Sequence, residues 1–227
     1  MLMDDVRQSN SEKIEKVLSD FHKNIHSALL YRNVYDEISE NALKLNDNNH
    51  GYSLGIYQKL ALESMVLKVC NAYEPLEKQY TKYSVGQILE LLKGCEPIER
   101  QYLVSFIDSK YLEISAFNDL NIGEKFIKII SSKMPNRNRS GTLKKLIEFR
   151  NNYIAHPKFF EDSEDECLPC LESISELIEW GQEFGETVSS AYLASHWDHS
   201  YDAARIRTAL KRLFKEIEVI EKGPNSP

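Results

Sequence analysis

The segment Phe149-Arg150-Asn151-Asn152-Tyr153-Ile154-Ala155-His156-Pro157 holds the residues of this chain best suited to chemistry on a phosphate. Cleaving RNA without a metal requires a group that takes the proton from the ribose 2′-hydroxyl or protonates the leaving oxygen. Histidine, with an ordinary pKa near ~6.5, suits either task. The reaction also requires a cation fixed on the phosphate as charge builds, and the planar fork of arginine supplies one. On a straight helix Arg150 and His156 lie ~9 Å apart along the axis and ~120° apart around it. They converge on one phosphate only if His156 swings at the helix end or a second copy of the chain completes the site. The spacing therefore points to a homodimer.

On a helical wheel at ~100° per residue, Leu143, Leu146, Ile147, Phe149, Tyr153 and Ile154 fill one apolar arc. Arg150 falls near the middle of that arc and His156 just past its edge, beside Phe149. An arginine in such a place is costly unless it is paired or opens onto a wet cleft. Two readings stay open. In one, Arg150 pairs with a buried carboxylate, Glu63 or Glu74, and His156 caps the helix C-terminus, where the dipole favours a cation. In the other, both residues face a site.

Charge placement bears on the choice. The chain carries 28 Lys plus Arg against 35 Asp plus Glu, a net −7, which excludes a generally basic, histone-like binder of nucleic acid. Yet Glu124 to Arg150 holds eight basic residues (Lys125, Lys128, Lys133, Arg137, Arg139, Lys144, Lys145, Arg150) and two acids, +6. Glu161 to Glu186 holds ten acids and no base, −10. A basic stretch in an acidic protein is a local phosphate-binding surface or a solvated helix face. In the first case Lys144, Lys145, Arg137 and Arg139 would guide RNA to the site.

The pattern R-N-x-x-x-x-H, here Arg150, Asn151 and His156 at the end of a helix, resembles the motif of the HEPN superfamily. Its context IEFRNNYIAHP and the preceding helix IYQKLALESMVLKVCNAYEP look most like the abortive-infection branch, over about residues 30–195. The resemblance implies a helical bundle that dimerises with its motifs facing across a cleft. It implies a metal-independent ribonuclease of phage defence or a toxin, with an antitoxin or defence-system partner. Arg150 would stabilise the phosphate, His156 would act as acid or base, and Asn151 would be the polar motif residue. In toxins silenced by modification a tyrosine closely follows the histidine, whereas Pro157, Lys158 and Phe159 stand here. Some members of the superfamily have lost catalysis, so a module that only binds RNA, a nucleotide or a partner protein is the alternative.

These residues need a scaffold, and the 227-residue sequence reads as a single all-α domain over 1–227. Only 9 Gly and 7 Pro leave few sharp turns, and 42% hydrophobic residues suffice for a packed core. A first helix is expected from the capping-box spacing Ser9-Asn10-Ser11-Glu12 and runs past Ile14, Leu18, Phe21 and Ile25. Residues 45–53 read as a polar turn, followed by a long helix ending before Pro75 with Leu54, Tyr57, Leu60, Leu62, Met65, Leu67 and Val69 on its apolar face. Shorter helices are expected over 84–94, 97–114 and 123–133. Ser140 or Thr142 caps a helix reaching His156, stopped by Pro157. A long helix beginning near Leu171, a last helix over 201–221 and the tail GPNSP complete the chain.

Weaker groupings carry less. Cys167-Leu-Pro-Cys170 and His196-Trp-Asp-His199 have metal-binding residue types, but the helix between them would hold the pairs far apart, so no metal and no cofactor is expected. His22 and His26, four apart, are expected as exposed surface histidines. Gly181 and Gly185 sit on an apolar stripe at a spacing that lets helices approach closely. The start MLMDDVRQSN is unlike a signal peptide, no apolar run reaches membrane length, and a cytoplasmic protein without membrane contact is expected.

Overall fold

The computed structural model describes residues 2–45, 50–74, 84–111, 121–135, 140–154, 170–197 and 200–222. Among them there is no strand, and the fold is all-α. The helices are α1 (Leu2–Leu45), α2 (His50–Tyr73), α3 (Val85–Leu92), α4 (Arg100–Tyr111), α5 (Ile122–Lys133), α6 (Gly141–Phe149), α7 (Leu171–Leu193) and α8 (Ser200–Lys222). A π-helical turn, Arg150–Ile154, continues α6. No helix among the described residues is long and apolar enough to cross a membrane. The chain divides into two compact units, one of residues 1–25 and 68–197, the other of residues 26–67 and 198–227.

In the first unit α7 is the axis. Ile174, Leu177, Ile178, Phe184, Val188, Ala191 and Tyr192 are all buried along it. Aromatic rings build the core outward from α7. Trp180 and Phe184 stack with planes 9° apart, and Phe126 of α5 stacks on Phe184 with planes 6° apart. Phe106 of α4 then meets Phe126 and Trp180 edge-on. Such pairs each add ~0.5–1.5 kcal/mol beyond the area they bury. Polar pins fix the ends of neighbouring elements. The Tyr73 hydroxyl donates to the Leu177 carbonyl, and the Ile98 and Glu99 amides both donate to the Ala191 carbonyl.

The glycines of α7 are the contact that lets α1 in. A β-carbon on Gly181 would lie 2.5 Å from Ile25 Cδ1, and one on Gly185 would lie 2.6 Å from His22 Cε1. His22 is therefore not the surface residue its sequence setting suggests. It is fully buried, shares a 3.0 Å hydrogen bond with the Ser189 hydroxyl, and stacks on Trp197 at 4.3 Å. The expectation of an exposed pair fails because the small residues of α7 open a slot into which this ring fits. His26, one turn on, is half-buried.

The second unit has a smaller core of Ile38 and Phe214, with Val34, Leu54 and Leu210 packed against it. Three expectations are corrected in the long helices. The Ser9–Glu12 spacing lies inside α1, which already begins at Leu2, so it does not mark the start of the helix. The polar turn is narrower than residues 45–53, because His50 to Ser53 already belong to α2. On α2 Met65 and Val69 are buried and Leu54 packs on the Ile38–Phe214 core as expected, but Tyr57, Leu60 and Leu67 are exposed, and Ala61, Val66, Cys70, Ala72 and Tyr73 complete the buried set instead. The tail GPNSP and the acidic run at 161–166 lie outside the described residues.

Gly181→Ala and Gly185→Ala separate the two contacts. Alanine in a helix interior gains ~1 kcal/mol over glycine, and the end of Ile25 can give way, so Gly181→Ala is expected to be close to neutral. The His22 ring is held by Ser189 and Trp197 and cannot yield, so Gly185→Ala is expected to cost about 1–3 kcal/mol net. Urea denaturation of the two variants measures the difference.

Candidate functional site

The motif helix begins where expected. Ser140 is the N-cap of α6, its hydroxyl accepting from the Leu143 amide at 3.1 Å. Leu143, Leu146, Ile147 and Phe149 are buried, so the apolar arc read from the sequence exists as far as Phe149. From Arg150 to Ile154 the backbone widens into the π turn, and Tyr153 and Ile154 are only half-buried. The straight-helix spacing does not hold beyond Phe149 for that reason. Single π turns inside α-helices are frequent at functional sites because they re-aim side chains.

That re-aiming decides where Arg150 sits. Its side chain is 18% exposed, neither sealed in the core nor free on the surface. Nη1 donates to Glu74 Oε1 at 2.5 Å, while Nε and Nη2 both donate to Asn151 Oδ1 at 3.1 Å. Of the two carboxylates weighed from the sequence, Glu74 is the partner; Glu63 meets Lys59 at 3.8 Å instead. Glu74 is placed by Tyr73, the last residue of α2, whose hydroxyl is pinned to α7. The Glu74 side chain is itself 29% exposed. A guanidinium has five N–H donors; three are committed to Glu74 and Asn151. The remaining two have no partner among the described residues.

The other candidate residues divide. Asn151 is exposed and orients the Arg150 fork. Lys144 and Lys145 are both exposed; Lys144 approaches Glu148 at 4.0 Å. His156, Arg137 and Arg139 lie outside the described residues, as does Pro157. Cys167 and His199 do too, while Cys170 donates its thiol hydrogen to Glu172 at 2.8 Å. Among the described residues no group of three His, Cys, Asp or Glu stands together as a metal site would require.

Two features are not singled out by their sequence setting: a neighbour of Arg150, and a pocket at the other end of α6. Cys70, one turn before Glu74 on α2, is buried beneath the ion pair, and burial pushes its thiol from 9.0 up to about 12, against a smaller opposing pull from Arg150. A pocket of ≈ 370 Å³ also opens at the start of α6, lined by Lys133, Pro135, Ser140, Thr142, Glu176 and Trp180 among others. Its residues come from three elements, so no local spacing announces it. No protein family, curated protein or solved structure matches the chain.

The burial of Cys70 has a pH consequence. The folded protein holds this proton more tightly than the unfolded chain does, so nothing changes below the unfolded thiol's pKa. Between pH 9.0 and about 12 the stability contribution falls with rising pH, by up to ~1.4 kcal/mol per unit. Cys70→Ala is expected to flatten that alkaline loss in denaturation midpoints measured from pH 8 to 10.5. Thiol labelling at pH 8 gives a second readout: exposed Cys170 should react while Cys70 stays protected until the protein unfolds.

Proposed function

We propose that the Arg150 turn is a phosphate-recognition site and that the chain is a HEPN-type ribonuclease cleaving RNA without a metal. The observation that carries this reading is the guanidinium itself. It is fixed by Glu74 and Asn151, lies at the edge of solvent on a π turn, and retains uncommitted N–H donors. A pre-oriented cation of this kind stabilises charge developing on a phosphate without reorganising at the moment of reaction. Asn151 acts as a positioning residue, since it holds the fork in plane. Glu74 holds the other side and lowers the net positive charge, so the site selects for geometry more than for charge alone.

His156, supplied by the same chain or by a second copy, is the acid or base of this proposal. Lys144 and Lys145 lie upstream on α6, with Arg137 and Arg139 preceding it in sequence, and all four draw the polyanion in. The place of such an activity in phage defence or as a toxin, with an antitoxin or defence-system partner, rests on the resemblance of the motif. A second reading is favoured by one specific contact. The Arg150–Glu74 pair ties the π turn to the end of α2, and in a module that only binds, or only holds its shape, this would be its whole role.

Cleavage of a mixed RNA pool with EDTA present tests the proposal on wild type, Arg150→Ala and His156→Ala. Loss of a general acid or base slows a reaction by ~10²–10⁴-fold and loss of a donor that stabilises developing charge by ~10²–10³-fold, so both variants should lose about 100-fold or more while staying folded. The wild-type fragments should end in 2′,3′-cyclic phosphate. Equal traces in all three proteins would overturn catalysis. If the wild type then bound RNA and Arg150→Ala did not, the binding module would stand. If the two bound alike, Arg150 would be an ion-pair member alone.

A further inference from the structure

The pocket at the start of α6 plays no part in holding Arg150. Its volume is ≈ 370 Å³, within the ~300–1,000 Å³ range of small-ligand sites. Ser173, Glu176, Leu177 and Trp180 line it from α7, at steps of three and four residues that put them on one helix face. Lys133 and Pro135 contribute from the end of α5, and Ser140 and Thr142 from the start of α6. All of these residues belong to the first unit.

The lining has an apolar part and a polar part. Leu177 is buried and Trp180 half-buried. The Trp180 indole N–H is spent on the Tyr111 hydroxyl at 3.0 Å, and Phe184 stacks on the ring. What Trp180 gives the pocket is therefore fixed aromatic carbon, with no donor left. Glu176 is exposed, and its carboxylate has no hydrogen-bond or ion-pair partner among the described residues. The half-buried hydroxyls of Thr142 and Ser173 have none there either. Lys133 adds an ammonium, a group with three N–H donors.

That set favours one kind of ligand. A flat ring can lie against Trp180, Leu177 and Pro135. A carboxylate accepts best from two adjacent N–H groups in one plane, the paired geometry it also forms with a guanidinium. The ammonium and hydroxyls can donate to ring acceptors. Of the four RNA bases only guanine has adjacent N–H donors on one edge, N1–H and N2–H₂, with the acceptors O6 and N7 next to them. Cytosine and adenine offer a carboxylate one amino group, and uracil a single imide N–H. Glu172 and Glu179, a turn to either side of Glu176 on α7, add negative charge and disfavour a phosphate in the pocket. A cationic ligand would gain from Glu176 and lose to Lys133, whereas the guanine edge gains from both.

We infer that this pocket holds a guanine base of the RNA and so sets where along the strand the Arg150 turn acts. The inference rests on the RNA reading of that turn. Bases of single-stranded RNA are commonly read in this way, laid against an aromatic ring and hydrogen-bonded along an edge. Thr142 and Arg150 are ~12 Å apart along α6 at ~1.5 Å per residue, which three to four stacked nucleotides span at ~3.4 Å each.

Trp180 reports on the pocket directly. The chain has 2 Trp, so its indole ¹⁵N–¹H spectrum holds two signals, and Trp197→Phe identifies that of Trp180. Titration of the full chain with 5′-GMP should move the Trp180 signal saturably. One charge-assisted hydrogen bond is worth about tenfold or more in affinity. CMP, AMP and UMP should therefore bind about tenfold more weakly or worse, as should inosine 5′-monophosphate, which lacks N2–H₂. Glu176→Gln should weaken GMP to the same extent, and Glu179→Gln, an equal charge change outside the lining, should leave it unchanged. In anisotropy, a 2′-O-methyl oligouridine with one central guanosine should bind more tightly than oligouridine alone, and Glu176→Gln should close the gap. Equal midpoints for the four nucleotides, or a preference for CMP or AMP, would overturn the guanine site. Equal weakening by Glu176→Gln and Glu179→Gln would show a net-charge effect and overturn it too. A Trp180 shift saturated by agmatine at a lower concentration than by GMP would reassign the pocket to a cationic ligand. RNA binding that Arg150→Ala abolishes, with no guanine preference, would overturn the pocket and leave the Arg150 reading standing. GMP binding without RNA binding would leave a free-nucleotide pocket and overturn that reading.

Discussion

The close approach of α1 to α7 at Gly181 and Gly185 is the constraint on which the first unit depends. At each glycine a single added carbon would strike a buried side chain of α1. Because α1 sits so near on one side, α7 can present Trp180 and Phe184 to α4 and α5 on another. Because α7 is held on several sides, its Leu177 carbonyl becomes a fixed acceptor for Tyr73. That bond fixes the end of α2, so Glu74 stands where Arg150 can reach it. A helix contact made of missing side chains thus propagates, through one tyrosine, to the orientation of a guanidinium.

Arg150 illustrates how a partly buried cation is kept useful. A sealed ion pair would satisfy the charge and close it to any ligand, and removing either partner would be costly. A fully exposed arginine would spend side-chain entropy to hold a phosphate. At 18% exposure, with Asn151 on one edge and Glu74 on another, the fork loses little freedom on binding and remains reachable. In the second unit Glu37 does the same for Arg207 and Lys211 on α8. In both places a carboxylate orients cations that stay open to water, and only the depth of the carboxylate differs.

The helices were legible in the sequence because apolar periodicity and a shortage of Gly and Pro are local signals. The cap at Ser140, the end of α2 before Pro75 and the extent of α7 follow from such signals. So did the need of Arg150 for a partner, since a charge on an apolar arc demands one wherever it lies along the chain. Glu74, 76 positions away, was one of two carboxylates placed to answer it. What was illegible depends on tertiary contact. The burial of His22 needs Ser189, 167 positions on, and the slot at Gly185. The inward face of α2 is set by which neighbours the fold brings beside it, and Tyr57 and Leu60 stand exposed while Met65 and Tyr73 are buried. The π turn at Arg150 has no spacing signature of its own, and it shifts every residue after it relative to a straight wheel.

The claim at the centre of this account is that the Arg150 guanidinium meets a phosphate while still held by Asn151 and Glu74. The most direct measurement is the arginine side-chain ¹⁵N–¹H spectrum of the protein during titration with a 2′-O-methyl RNA, which binds but cannot be cleaved. The Arg150 Nε–H signal, assigned by its loss in Arg150→Lys, is expected to shift in a saturable way, with the same midpoint as binding. An Arg150 signal that stays in place while RNA saturates the protein would contradict the claim, and would leave the residue as a strut between the π turn and α2.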